Sequence, residues 1–434
     1  MAKKIYERLE AISYSRPSGS VEERKALEYL AQEIRRIGFE PELETFSYTR
    51  RVPVKATLAA VLEDGKEVSF QVTGVIDSLE TTPEGETAEF AYLPSYDEVS
   101  LENLKGKFVL LHGRLSKEEY RRLRRAGIRG YAITSGTVRD TYENSDLETT
   151  RFRDNLSDLG PLPAYTIRLI DAVELLRVRP KKVRYTLQLQ EETVQSRNLI
   201  VTVPGTAASD ELIVAGAHYD SVPFSMGSWD NGAGAVQMVS LLEYLKAHPV
   251  RRAVKVILFG SEETGLRGSR AYVEAHPEVI EKTRAMINVD VGGSILGKEL
   301  LFIGAVSDTE VWIRQFLKEV GYAAVTVQKL MSSDSANFND YGVPSISIGQ
   351  GAPQGGGYMH TRYDNMDLID ENVLEREAGF LAALTERLAN ATVFPIPRVI
   401  PEALRKEAID YFGEKSHLAT QPPIPEEKPL PFHF

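Results

Sequence analysis

Apolar and polar positions along the chain change period several times, and each change marks an element. Residues 20–38 carry Leu27, Leu30, Ile34 and Ile37 on one helical face; Ser20 and Glu23 stand at capping-box spacing, and Gly38 ends the run. Glu42 to Tyr48 then alternates as a strand does. From 51 to 190 the texture shifts to short strands, acidic loops and one basic helix. There, Leu104 to Leu111 is a polar turn feeding a buried strand, Lys117 to Ala126 is helical up to Gly127, and Tyr131-Ala132-Ile133 opens another strand. Beyond it, Asn198–Val203, Leu212–Ala217, Val254–Phe259, Ala285–Val289 and Leu300–Ile303 are apolar runs of strand length. Helical segments alternate with them. Ala233 to Lys246 places Val236, Val239, Leu242 and Leu245 on one side, and Arg376 to Asn390 reads as the last helix of this part.

This alternation predicts an α/β fold: a mixed, mostly parallel central sheet with helices on both faces. It also predicts a division into a discontinuous domain (1–50 with 191–394), a small β-rich insertion (51–190) and a C-terminal segment (395–434). Eight of the last 40 residues are Pro. That segment reads either as a disordered tail or as an arm packed on its own domain or a partner subunit, with a short helix over Glu402–Phe412.

Bulk composition narrows the chemistry. A net charge of −11 argues against a general nucleic-acid binder, and no apolar run approaches a membrane span. With no cysteine, thiolate metal sites and cysteine nucleophiles are excluded, so any metal must be held by His, Asp and Glu. The start, Met1 to Arg8, lacks the apolar region of a secretory signal and suggests a cytoplasmic protein; a secreted protein stripped of its leader would read the same way.

Candidate chemistry sits where strands give way to turns. His218-Tyr219-Asp220 ends one strand, and a carboxylate two residues on suits the other N–H of a ligating imidazole. Asp230-Asn231-Gly232 opens the following helix; alone it reads as an N-cap. Glu262-Glu263 lies between a strand and a glycine turn, where one carboxylate can ligate while the other takes a proton from water. Asn288-Val289-Asp290 ends another strand, and His360 stands in a glycine-rich loop. Taken singly, a strand-end His or an acidic pair is more often structural. As an ordered set at strand ends of one α/β sheet, two imidazoles and several carboxylates point to a crevice for zinc, with Co2+ or Mn2+ fitting less specifically. Two such ions suit amide hydrolysis. His112, His248, His276, His417 and His433 are assigned structural or surface roles, and the run Arg121-Arg122-Leu123-Arg124-Arg125 a solvated helix face.

The set His218-x-Asp220, Asp230-Asn231-Gly232, Glu262-Glu263, Asp290 and His360-Thr361 with Asp364 resembles metallopeptidase family 28, the di-zinc aminopeptidases of bacterial leucyl aminopeptidase and aminopeptidase Y type. The likeness covers residues 10–50 and 195–392, and the 51–190 insertion resembles a protease-associated domain. It implies a zinc-exopeptidase fold in which Asp230 bridges two zinc ions. His218 and Asp290 complete one site, Glu263 and His360 the other. Glu262 would be the general base, Asp220 the partner of His218, and the Asp230–Asn231 peptide cis. Two features depart from the family pattern. Met359 replaces the usual Tyr before the last His, leaving Tyr358 as a candidate oxyanion stabiliser. Ser333-Asp334-Ser335 stands where a serine-aspartate-histidine segment is usual.

The resemblance implies hydrolysis of the N-terminal peptide bond of peptides with a free amine, by water activated between two zinc ions. Alternatives on the same scaffold are a carboxypeptidase or dipeptidase, which would need a cationic pocket, and a one-zinc glutaminyl cyclase. From another class comes a non-catalytic receptor or scaffold, which would have lost ligands. No nucleic-acid or membrane partner is expected, and homo-oligomerisation is left open.

Overall fold

The computed structural model describes residues 2–113, 115–137, 139–352 and 359–421. Its centre is a mixed sheet whose strands run, in spatial order, Val325–Val327, Lys298–Gly304, Ser345–Gly351, Thr283–Val289, Leu212–His218, Ala253–Phe259 and Lys182–Val203. The middle strands are parallel: Thr283–Val289 pairs in parallel with Ser345–Gly351 and Leu212–His218, and Leu212–His218 with Ala253–Phe259. Antiparallel pairs flank them, Lys298–Gly304 with Ser345–Gly351 and Ala253–Phe259 with Lys182–Val203. The apolar runs in the sequence are therefore central strands buried on both faces.

One face is covered by the helices Ala2–Ile12, Val21–Ile37, Ala233–Ala247 and Glu371–Asn390, which share a core containing Leu30, Ile34, Val236, Val239, Leu242 and Leu381. On the other, Tyr272, Val273 and Phe338 pack against Ile257 and Phe259. The helix Val21–Ile37 begins and ends as the sequence implies, with Gly38 in the left-handed conformation. Its capping box is only half made. Ser20 Oγ accepts the Glu23 N–H at 3.0 Å, but the buried Glu23 carboxylate is held by Ser196 Oγ (2.7 Å) and the Gly19 N–H (2.7 Å) rather than turning back to Ser20.

The sequence texture changes at 51 and 190, yet the backbone does not break there. Glu42–Val61 and Lys182–Val203 form one long antiparallel ribbon, and the two expected boundaries face each other across it: Arg50 pairs with Glu192, and Arg51 with Glu191. Nothing in the local pattern signals a turn because there is none. A register shift between Pro53 and Lys55 marks where Pro53 cannot donate to the ladder. Beyond that point Lys182–Val203 pairs with Glu86–Tyr92, which leads through Lys107–Leu111, Gly130–Ser135 and Ala164–Arg168 to Val72–Gly74. The inserted lobe therefore extends the central sheet, with its own cores around Tyr120 and Leu123 on one side and Tyr165 and Tyr185 on the other.

The helix Glu402–Phe412 forms over the residues expected. Ala408 and Phe412 pack on Leu266, Leu330 and Ala336, and Asp340 Oδ1 accepts from Ser416 Oγ at 2.6 Å, so residues 402–418 lie against the main body as an arm. Among the described residues no helix is long and apolar enough to cross a membrane.

Candidate metal centre

The site residues sit at the ends of buried elements or in the turns between them. His218 is the last residue of the strand Leu212–His218, and its side chain is 1% exposed. Asp230 lies in the turn Ser228–Gly232 that leads into the helix Ala233–Ala247, and the Asp230–Asn231 peptide is cis. Asn231 ties this turn to the end of the next strand: its Nδ2 donates to Val289 O (2.8 Å), and its Oδ1 accepts from Gly234 N–H (3.0 Å) and Val291 N–H (3.3 Å). Asp230 and Asp290 are thereby set side by side. Gly234 is required here, because a Cβ would collide with the Asn231 side chain and sit 2.8 Å from Val289 O. Ser261, Val291 and His360 hold left-handed backbone conformations (φ 59°, 62° and 59°), unusual for side-chain-bearing residues and most costly for β-branched Val291. All three flank or belong to the ligand set.

The Asp230 carboxylate divides between the two imidazoles. Oδ1 is 3.2 Å from His218 Nε2, and Oδ2 is 3.5 Å from His360 Nε2. A further carboxylate faces each ring: Asp290 Oδ1 is 3.2 Å from His218 Nε2, and Glu263 Oε2 is 2.9 Å from His360 Nε2. Ligand atoms of His218, Asp230 and Glu263 lie within 4.8 Å of one another, as do those of His218, Glu262 and Asp290. All the residues singled out in the sequence therefore converge on one crevice. Tyr358 lies outside the described residues.

Asp220 is fully buried and does two things. Its Oδ1 is 3.5 Å from His218 Nδ1, and its two oxygens accept the N–H groups of Glu262 (2.9 Å) and Glu263 (3.2 Å). Asp364 accepts the N–H groups of Trp229 (2.7 Å) and Asp230 (3.1 Å), fixing Asp230 from behind.

Sequence reading missed three contributors. Arg16, fully buried, donates to the carbonyls of Tyr219 (2.5 Å), Met226 (2.5 Å) and Gly227 (2.7 Å) and so holds the loop between His218 and Asp230. Glu148, from the inserted lobe, accepts from His360 Nδ1 at 3.2 Å. Asp334, buried in the divergent Ser333-Asp334-Ser335 segment, lies close enough to feel the charge of His218 and Asp290. No local periodicity distinguishes any of the three. For Asp334 alone, its place in a recognisable segment was a signal.

The electrostatics are those of an unbalanced anionic pocket. Burial pushes the Glu262 carboxyl well above the usual range, with Glu263 and Asp290 adding to the rise and His218 opposing it. Burial raises Asp334 to about 7 and, together with the charge of Asp230, Asp364 to about 7. His218 is raised as well, but against burial: burial lowers it, and the carboxylates of Glu262 and Asp290 outweigh burial and lift it well above its ordinary value. The buried Glu263 Oε1 has no hydrogen-bond partner among the described residues. So many buried carboxylates around two imidazoles call for added positive charge, and an unpaired oxygen among O and N donors is what a zinc ion takes. The residues present fit divalent metal.

The remaining described histidines lie elsewhere. His248 stacks on Tyr244, His276 pairs with Glu44 at 2.5 Å, His417 stacks on Tyr341, and His112 is exposed. His433 lies outside the described residues.

The chain is 25% identical over 432 residues to aminopeptidase YwaD of Bacillus subtilis (strain 168), covering 95% of this chain and 90% of that protein. It is 24% identical over 401 residues to carboxypeptidase Q of Mus musculus, covering 86% and 83%. The fold is similar to that of BSAP, a zinc aminopeptidase from Bacillus subtilis, with a TM-score of 0.72 at 22% identity over 93% of this chain and 98% of that one. Residues 198–385, which hold every candidate ligand, match peptidase family M28. The match covers the part of the chain that carries the candidate site and leaves the flanking residues outside it.

Proposed function

We propose that this chain is a zinc-dependent aminopeptidase that hydrolyses the N-terminal peptide bond of peptides. The observation that supports it most is the division of Asp230, whose two oxygens face different imidazoles, each imidazole facing one further carboxylate. Asp230 would bridge two zinc ions, with His218 and Asp290 on one and Glu263 and His360 on the other. When bound, such ions supply Lewis acidity to the scissile carbonyl and lower the pKa of water.

The chain's own residues do the rest. Glu262, close to His218 and Asp290 but left over once the two proposed ligand sets are assigned, is held by its backbone N–H on Asp220, and burial raises its proton affinity, as suits a general base. It takes a proton from the attacking water and returns it to the nitrogen of the leaving peptide as the C–N bond breaks. Water's oxygen stays on the new carboxyl group. Asp220 keeps the Glu262–Glu263 turn and the His218 ring in register, and the insertion over 51–190, read as protease-associated, flanks the crevice through Glu148.

Charge separates amine from carboxylate recognition. The pocket is rich in carboxylates, which favour a substrate ammonium. Two arginines near the crevice are already engaged, Arg362 by Asp146 (2.6 Å, two contacts) and Arg151 by Asp77 (3.1 Å) and Asp154 (2.5 Å), while Arg267 donates to the Thr264 carbonyl (3.2 Å). The test compares hydrolysis of a free and an N-acetylated peptide by zinc-reloaded enzyme. Activity confined to the free peptide is expected. Undiminished cleavage of the acetylated one would refute the proposal.

A further inference from the structure

The two imidazoles of the site are alike on one side and different on the other. Both turn Nε2 towards the ligand cluster and Nδ1 towards a carboxylate. For His218 that carboxylate is Asp220, two residues away at 3.5 Å. For His360 it is Glu148, at 3.2 Å, which belongs to the inserted lobe.

Glu148 is placed there by more than this one contact. Its own N–H donates to Ser135 Oγ (2.9 Å), at the end of the lobe's strand Gly130–Ser135. Two residues before it, Asp146 takes Arg362 in a bidentate pair at 2.6 Å and 2.6 Å, and Arg362 is two residues past His360. The segments 146–148 and 360–362 are thus pinned at two points. Glu148 and His360 side chains are 19% and 17% exposed, so their contact is largely shielded from water.

We propose that Glu148 is a positioning residue for His360, and that the inserted lobe thereby completes one of two metal sites. The inference rests on the two-zinc reading above. A carboxylate on Nδ1 fixes the tautomer that leaves the Nε2 lone pair facing Glu263 and Asp230, and strengthens it as a donor. One site then draws its support from the peptidase lobe, the other from both lobes. Domain architecture and metal occupancy become linked.

The test is zinc titration of the zinc-free full-length protein by calorimetry, with the cobalt absorption spectrum recorded alongside, for wild type, Glu148→Gln and Glu148→Asp. Wild type should take two zinc ions. Glu148→Gln should keep one at wild-type affinity and hold the other about 10–100-fold more weakly, the usual range for loss of such a partner. The spectrum of the weakened cobalt site should change, and Glu148→Asp should recover part of the affinity. Wild-type affinities and an unchanged cobalt spectrum in Glu148→Gln would overturn the inference. So would equal weakening of both sites with a fall in the melting temperature of the zinc-free variant, which would mark a merely structural role. A wild type that binds a single zinc would instead overturn the two-metal reading itself.

Discussion

Replacing Asp220 with Asn keeps the shape of a fully buried side chain while removing its charge and one of its acceptors. Two separate losses follow. Only one oxygen remains for the N–H groups of Glu262 and Glu263, which now share both, so one amide meets an NH2 group instead. An unpaired buried donor costs about 1–3 kcal/mol. Oδ1, which accepts the Glu262 N–H, also faces His218 Nδ1, and that ring nitrogen no longer meets a carboxylate. Loss of such a partner lowers metal affinity about 10–100-fold, or about 1.4–2.7 kcal/mol. The two losses can be told apart by adding zinc. A chelator competition should show the weakened affinity, and saturating zinc should restore occupancy. Turnover at saturating zinc should still lie roughly tenfold or more below wild type, because the backbone beneath Glu262 has lost its anchor. Asp220→Asn with wild-type zinc affinity and turnover within about twofold would refute this account of the residue.

Glu262→Gln should lower kcat by about 10^2–10^4-fold with zinc content unchanged, measured by emission spectroscopy on the assayed sample; near-normal turnover would remove Glu262 as the base. Arg16→Met strips a buried cation from the carbonyls of Tyr219, Met226 and Gly227 and should destabilise the zinc-free protein by about 3–5 kcal/mol in urea unfolding; a change under about 1 kcal/mol would contradict the clamp. Glu377, buried and raised from 4.5 to about 8 by burial and by Glu299, binds its proton more tightly folded than unfolded. Its contribution to stability is therefore complete below about pH 4.5 and is lost as pH rises through 8, at up to about 1.4 kcal/mol per pH unit. Glu377→Gln should flatten the stability profile over that interval, and an unchanged slope would refute the assignment.

The parts of this molecule legible in the sequence are those written locally. Gly38 and Gly127 stop helices where expected because the left-handed turn needs them, and the central strands show as apolar runs because both their faces are covered. The candidate site was legible because His218, Glu262–Glu263 and Asp290 follow such runs, with Asp230 at a helix entrance and His360 in a glycine-rich loop. What stayed hidden depends on residues far apart in the chain. Glu148 meets His360 only through the docking of two lobes, and Arg16 reaches carbonyls that no spacing rule connects to it. Glu23 shows the converse, a correct local motif overridden when Ser196 and Gly19 took its carboxylate. The expected lobe boundaries fell inside strands because composition follows the environment, whereas the backbone ladder continues through it.

That continuous ribbon has a consequence for the order in which the molecule can be made. Glu42 pairs with Ile200, and Val61 with Lys182, so every rung joins residues on opposite sides of the stretch 62–181. During synthesis the first strand leaves the ribosome long before its partner exists. Its ladder cannot close until the whole lobe has been translated. Closing so long a loop is entropically costly, and topologies dominated by such distant pairings fold slowly. Until then Glu42–Val61, apart from its end Leu58–Val61 that pairs with Glu67–Phe70, presents an unpaired strand edge, the kind of surface that recruits the wrong partner. The same two strands that join the lobes in the finished protein therefore set the latest point at which its folding can be completed.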